Sequence, residues 1–236
     1  MVLRRELHED DQKKHRKLIQ EYTMHRFGKA PFEVSLIGAG EQKGVYKIDY
    51  GEGTFVASAA ARDPKQSLLE EYNILTELYV GAREFFPKPI AHFSAEEDLG
   101  ELLIMEFLPH RDLDHITHIG VTDYYKKLSR KIGRAIALTN IKTGRYSSEP
   151  HDGNILGIVN GDDVAIKFCD AIQFHKGGIA SAVDSILCDR NMRPECFRFI
   201  KHFREGLVDG ITEAGQLSRD EANKQLEFLR NYNDIF

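Results

Sequence analysis

Two side chains with hard oxygen atoms, Asn154 and Asp170, bracket a pair of short apolar runs. The first run holds Ile155, Leu156 and Ile158. Asn160-Gly161 follows as a turn pair, and Asp162-Asp163 carries the chain into a second run, where Val164, Ile166 and Phe168 alternate with Ala165 and Lys167. Apolar runs on either side of Asn-Gly predict a β-hairpin. A hairpin brings its ends side by side, so the Asn154 amide and the Asp170 carboxylate are expected together. That is a donor pair Mg²⁺ accepts along with phosphate oxygens. Glu149 and His151 lie a few residues upstream, where they are expected to face the same space. The competing reading of Asp170 is local: an Asp at this place caps a turn, here for the backbone of Ile172 or Gln173.

The second stretch with chemical potential is Gly38-Ala39-Gly40-Glu41-Gln42-Lys43-Gly44. Glycines let a backbone approach phosphates and aim its N–H groups at them. A dinucleotide-binding turn would open a helix after such a loop. The residues after Gly44 are β-branched, aromatic and turn-rich, which fits strand–turn–strand better. A phosphate-covering loop between two strands and an ordinary hairpin turn both stay open on these residues alone.

From Glu149 to Asp170 the spacing resembles that of protein kinases and their relatives. There a catalytic-loop acid precedes a metal-binding Asn by five positions, and a hairpin leads to a second metal-binding Asp. The run from Glu149 to Leu156 also resembles the DPHPGN-type loop of UbiB-like atypical kinases. Phe168 to Gln173, FCDAIQ, is similar to small bacterial kinase-like proteins of the YrbL kind. The chain departs from the pattern at three places: Glu stands at 149 for Asp, Ser at 147 for His, and Cys169-Asp170-Ala171 for D-F-G.

The resemblance covers residues 33–175 and implies an α+β, two-lobed protein-kinase-like fold with a reduced helical C-lobe. It divides the chain into an N-terminal helical extension (1–30), an N-lobe (31–108) and a C-lobe (109–236), with ATP and Mg²⁺ in the cleft. It implies that Gly38, Gly40 and Gly44 cover the phosphates and that Asn154 and Asp170 ligate Mg²⁺. Glu149 would accept or orient the acceptor hydroxyl, and His151 would lie near the γ-phosphate. The backbone of Glu106 to Leu108 would hold the adenine edge, with Met105 as gatekeeper. Glu71, with Glu70 as a near alternative, would pair with a lysine on the third strand, but Ala59 occupies that lysine position. A different cation such as Lys47, Arg62 or Lys65 would then serve, or the position was changed deliberately, or the chain is a pseudokinase. The implied function is transfer of the γ-phosphate of Mg-ATP to a hydroxyl, foremost a protein Ser/Thr. The alternative is a pseudokinase acting as a nucleotide-binding or protein-interaction module.

The elements that must position these residues are legible in outline. Leu18, Ile19, Tyr22 and Phe27 recur at helical spacing over residues 10–27, with Asp10 or Asp11 as the expected cap, Gly28 as the stop, and Lys13 to Lys17 as a solvated face. Residues 33–61 predict three strands. Asp63-Pro64 is the expected start of a helix whose apolar face is Leu68, Leu69, Tyr72, Leu75 and Leu78 or Tyr79. Strands follow around Ala91–Ser94 and Leu102–Leu108. HRDLDH, residues 110–115, is not the catalytic motif, because no Asn follows Asp112 by five residues. His115 and His118 lack a third zinc ligand. A helix is expected over 122–140 on Leu128, Ile132 and Ile136, then helices near 180–190, 194–209 and 218–232, the last opened by a capping box, Ser218-x-x-Glu221.

Composition narrows the classes. The 236 residues carry a net charge of −5, with 42% hydrophobic and 29% charged residues. That balance suits a globular chain and argues against a nucleic-acid binder. No apolar run reaches the roughly 18–20 residues of a membrane span. The N-terminus lacks the apolar core of a signal peptide. Three cysteines without C-x-x-C spacing point to a reducing compartment. The expected location is bacterial cytoplasm, or a host cytoplasm for a secreted effector, and the expected partners are ATP and a protein substrate.

Overall fold

The computed structural model describes residues 7–39, 43–51, 53–60, 67–94, 100–109, 111–112, 122–148, 154–160, 163–188 and 199–229. The fold is α+β. The chain divides into two units: Met1–Thr76 with Pro87–Leu108, and Glu77–Phe86 with Pro109–Phe236. No helix among the described residues is long and apolar enough to cross a membrane.

The first unit is built on five antiparallel strands: β1 (Glu33–Ala39), β2 (Lys43–Asp49), β3 (Thr54–Ala60), β4 (Pro89–Ser94) and β5 (Glu101–Glu106). Their order in the sheet is β1-β2-β3-β5-β4. A register shift between Leu36 and Gly38 puts a bulge in the edge strand β1. Helix α1 (Glu9–Phe27) lays Leu18, Ile19 and Tyr22 onto one face of the sheet, against Tyr46, Ile48, Ala57, Ala59, Leu102 and Ile104. Gly28 ends it in the left-handed region (φ 67°), where a residue without Cβ pays no steric penalty. Neither Asp10 nor Asp11 caps its start. The cap position is His8, which makes no side-chain cap hydrogen bond, and both acids lie inside the first turn, where the helix dipole favours negative charge.

Helix α2 (Leu68–Ala82) starts later than Asp63-Pro64 predicts, and those two residues lie outside the described ones. Its first N–H groups are met by the adjacent Ser67, whose Oγ accepts from Leu69 N at 3.1 Å, and by the distant Glu101, whose Oε2 accepts from Leu68 N at 2.9 Å. Leu68, Ile74, Leu75 and Leu78 are buried, but Leu69 is 46% exposed and does not belong to the apolar face.

In the second unit the central pair is α3 (Thr122–Thr143) and α5 (Ile200–Glu213). Leu128, Ile132 and Ile136 are buried as their spacing predicts. Glycines let the two backbones touch: a Cβ on Gly206 would land on the Arg130 carbonyl oxygen, and one on Gly133 on that of Phe203. Arg130 donates to Asp209 at 2.6 Å, which also accepts from Arg219 at 2.9 Å, and Arg134 forks onto both Glu213 oxygens at 2.7 Å. Helix α5 is entered through Phe199, which is non-helical (φ −118°, ψ 35°), and the expected start at Pro194 lies outside the described residues. Helix α4 is Ile179–Cys188 and α6 is Arg219–Gln225. The capping box of α6 forms, with Ser218 Oγ accepting from Glu221 N and Glu221 Oε2 accepting from Ser218 N, but the α-helix stops at Gln225, short of 232. Short strands complete the unit: β6 (Arg111–Asp112), β7 (Arg145–Ser147), β8 (Ile155–Asn160), β9 (Asp163–Phe168) and β10 (Phe174–Lys176). β8 lies between β6 and β9, and β7 pairs with β10.

Candidate functional site

The hairpin read from the sequence forms as β8 and β9, in the register Ile155↔Phe168 through Asn160↔Asp163. Asn160 is thus the last paired residue of its strand, opposite Asp163, and Gly161, the other half of the expected turn pair, lies outside the described residues. Val164, Ile166 and Phe168 are buried. Phe168 packs against Phe86 (ring centroids 5.7 Å) and Phe174 (5.8 Å), which fixes the far end of β9.

Beyond that end the two oxygen-bearing residues lie on adjoining ends of the hairpin backbone. Asn154 O accepts from Cys169 N at 3.0 Å, so Asn154 and the residue after Cys169, Asp170, sit across the mouth of the hairpin. Asp170 has φ 63° and ψ 63°, and among the described residues no other non-glycine residue has positive φ. Asp tolerates this region better than most residues, yet it remains a strained choice, and such residues concentrate at functional sites. Asp170 occupies the cap position of the 3-10 turn Ala171–Gln173, but its side chain makes no cap hydrogen bond. Turn capping therefore does not account for the carboxylate.

The approach to the hairpin is held as firmly. Ser148 N donates to Gln173 O at 2.9 Å, and His175 Nε2 lies 3.1 Å from Ser148 Oγ. Ser148 and Asn154 are thus both tied to the segment that carries Asp170. Glu149 and His151 belong to the stretch between them and lie outside the described residues, as does Gly40. Among the described residues no three His, Cys, Asp or Glu side chains group as metal ligands. A pair of hard oxygen donors with the remaining positions left to phosphate and water is what Mg²⁺ commonly accepts, so Asn154 and Asp170 fit that ion.

The first unit holds a second arrangement, and it corrects the assignment of Ala59. Directly opposed residues on neighbouring strands share a face, and successive residues alternate. Ala59 opposes Gly44 and Leu102 and belongs to the core under α1. Ala60 opposes Lys43 and Glu101, on the other face. There Lys43 Nζ contacts both carboxylate oxygens of Glu71 on α2, at 3.1 and 3.0 Å. The position facing Glu71 from β3 is therefore Ala60, and a cation that meets Glu71 is Lys43 of β2. Lys47 instead lies over the Phe107 ring at 5.4 Å, and Arg62 and Lys65 are outside the described residues. The Glu71 side chain is 4% exposed and that of Lys43 23%. Glu101, on the same face, accepts from Ser67 Oγ at 3.2 Å as well as from Leu68 N, and His92 Nε2 lies 3.5 Å from it. The start of α2 is thereby pinned to β5.

The remaining expected contacts have other structural roles. A Cβ on Gly44 would stand 2.8 Å from Tyr46 Cε2 and 3.1 Å from His15 Nδ1, so packing under α1 accounts for this glycine. On Gly38 a Cβ would meet only Val45 Cβ, at an ordinary 3.7 Å. Glu106 N donates to Lys88 O at 2.9 Å, so this amide is engaged in the sheet rather than turned to a ligand. Leu108 is half-buried in the irregular stretch after β5. The sequence reading missed Lys43. The signal was the alternation of β2, Lys43-Val45-Lys47 against Gly44-Tyr46-Ile48, which appears once the strand is started at Lys43 rather than Val45. Searches of protein-family models and of curated proteins found no match to the chain.

Proposed function

We propose that the chain is an ATP-dependent phosphotransferase of the protein-kinase-like kind, moving the γ-phosphate of Mg-ATP to a hydroxyl, foremost a protein Ser or Thr. The reading takes the sheet unit as the N-lobe and the helical unit as a reduced C-lobe. The observation that carries it is the hairpin mouth, where Asn154 and Asp170 are brought together and Asp170 holds a left-handed backbone with no capping role. In this reading both residues hold Mg²⁺, which supplies charge neutralisation on the phosphate oxygens. The acceptor oxygen bonds to the γ-phosphorus as the bond to the β–γ bridging oxygen breaks, ADP leaves, and the hydroxyl proton passes to Glu149. Positioning and electrostatics supply most of such a rate, so a Glu in place of the family's Asp suits the role. A reducing, ATP-containing compartment, the cytoplasm, is the setting this chemistry needs.

The test is Asp170→Asn. Asn also tolerates positive φ, so the fold and the ligand-free melting temperature should hold. A ligand that binds only the native state raises the melting midpoint. The parent chain should show such a rise with ATP that requires Mg²⁺, and phosphate transfer to a protein acceptor, and the variant should lose both. An Asp170→Asn chain that keeps the Mg²⁺-dependent rise and the parent transfer rate refutes the assignment.

A further inference from the structure

We infer that Lys43 on β2 is the cation that holds the nucleotide phosphates, taking over from the lysine that β3 lacks. The inference rests on the phosphotransferase reading and adds to it the residue that a pseudokinase would be missing.

Three observations lead to it. The first is the face. Lys43 and Ala60 are opposed partners on the side of the sheet that Glu71 meets, whereas Ala59 is buried on the opposite side under α1. A strand that offers Ala59 and Ala60 has no cation to give, and the neighbouring strand supplies one at the same level. The second is the form of the pair. Both carboxylate oxygens of Glu71 take the ammonium, the acid being almost fully buried and the lysine retaining exposure. This is an acid that orients and a cation that is presented. An ammonium is a compact charge that binds phosphate oxygens well. The third is how the acid is held. Glu71 lies one turn into α2, and the start of α2 is fixed by Glu101 through Leu68 N and Ser67 Oγ. Glu101 stands on the Lys43 side of the sheet, opposite Ala60. Sheet and helix are therefore locked to each other at the point where the pair forms. Stability alone is a weak reason for such a pair, because apolar residues of similar size commonly serve a fold as well.

The test separates a phosphate contact from a structural one. Dissociation constants for Mg-ATP and for adenosine, which has no phosphate, are measured for the parent, Lys43→Met, and the double variant Lys43→Ala with Ala60→Lys, which moves the cation to the opposed position on β3. Losing a charge-assisted contact should weaken Mg-ATP about tenfold or more while leaving adenosine unchanged. The double variant should recover Mg-ATP affinity, and it keeps the test decisive should Lys43→Met fail to fold. Equal losses for ATP and adenosine, or a folded double variant that binds adenosine but not Mg-ATP, overturn the assignment. If Lys43→Met binds Mg-ATP like the parent while Asp170→Asn does not, Lys43 is excluded and the phosphotransferase reading stands. A parent chain that binds no Mg-ATP removes both.

Discussion

Lys43 and Glu71 differ in how much water reaches them, and that difference predicts an asymmetric cost. Lys43→Met removes the ammonium that both oxygens of a 4% exposed carboxylate contact. Stranding one member of a buried pair costs about 3–5 kcal/mol. Glu71→Leu removes the carboxylate from an ammonium that is 23% exposed, so solvent screens it and the cost falls to about 1–2 kcal/mol. Removing both charges at once leaves two apolar side chains of similar bulk, a change that is about neutral and in any case below about 1 kcal/mol. The two single costs should therefore fail to add by at least about 3 kcal/mol, where independent sites add to within about 0.5. The chain has two units, so the sheet's own stability is best read from native-state hydrogen exchange of the β3 amides, which opens with that unit. Additive costs, or a Glu71→Leu cost above that of Lys43→Met, would show that burial of the pair has been misjudged.

Three further outcomes follow from the geometry. Gly206→Ala forces a Cβ onto the Arg130 carbonyl and should destabilise the helical unit by about 2–3 kcal/mol, read as a lower urea midpoint, whereas Gly178→Ala, with nothing within 4 Å, should change it little. Burial lowers the pKa of His15, opposed by Asp11 and reinforced by Lys14, with the Tyr46 hydroxyl at 3.2 Å. The unfolded chain then binds this proton more readily, so the contribution is complete above the ordinary value near 6.5 and shrinks as pH falls below it; His15→Gln should flatten that part of the sheet unit's stability profile. For Asp209, burial pulls upward, but hydrogen bonds from Arg130 and Arg219 outweigh it and leave the carboxyl below its ordinary 3.8. The Arg134 hydrogen bond lowers Glu213 from 4.5. Their stabilisation is full above those values and is lost as pH falls through the lowered ones, so Asp209→Asn should reduce the acid sensitivity of helical-unit melting below the ordinary carboxylate value of 3.8.

The elements that sequence reading placed well had a one-sided signal. Val164, Ile166 and Phe168 alternate with more polar neighbours, Leu128, Ile132 and Ile136 keep a helical period, and Ser218 with Glu221 spells out a cap. β3 had no such signal. Val56, Ala57, Ser58, Ala59 and Ala60 are all buried, because helices cover both faces of that strand, and a strand buried on both sides loses its period of two. Ala59 and Ala60 are then indistinguishable by composition, though they face opposite ways. The register with β2 and β5 separates them, and register is a long-range property. Helix starts were misjudged for a related reason. The start of α2 is met by Ser67 beside it and by Glu101, more than thirty residues away, and the second of these has no local signal. At the hairpin mouth, the spacing of Asn154 and Asp170 was readable, while the left-handed backbone of Asp170 had no counterpart in the letters.

The bulge in β1 bears on how the protein behaves in a crowded solution. β1 and β4 are the two edges of the five-stranded sheet, and an unguarded edge is a template on which further chains add strands. β1 reads EVSLIGA, with neither proline nor lysine to discourage such growth, and Ile37 is 45% exposed. Its protection is geometric. The register shift between Leu36 and Gly38 breaks the flat edge, and Arg16 of α1 donates to the Val34 carbonyl at 3.1 Å, occupying one of the groups an incoming strand would use. At the other edge, β4 opens with Pro89, which has no N–H to offer. The helix that covers the sheet's core thus also guards its rim, and loosening α1 would expose a sticky edge along with an apolar face. Aggregation, rather than simple unfolding, is the failure to expect when that helix is weakened.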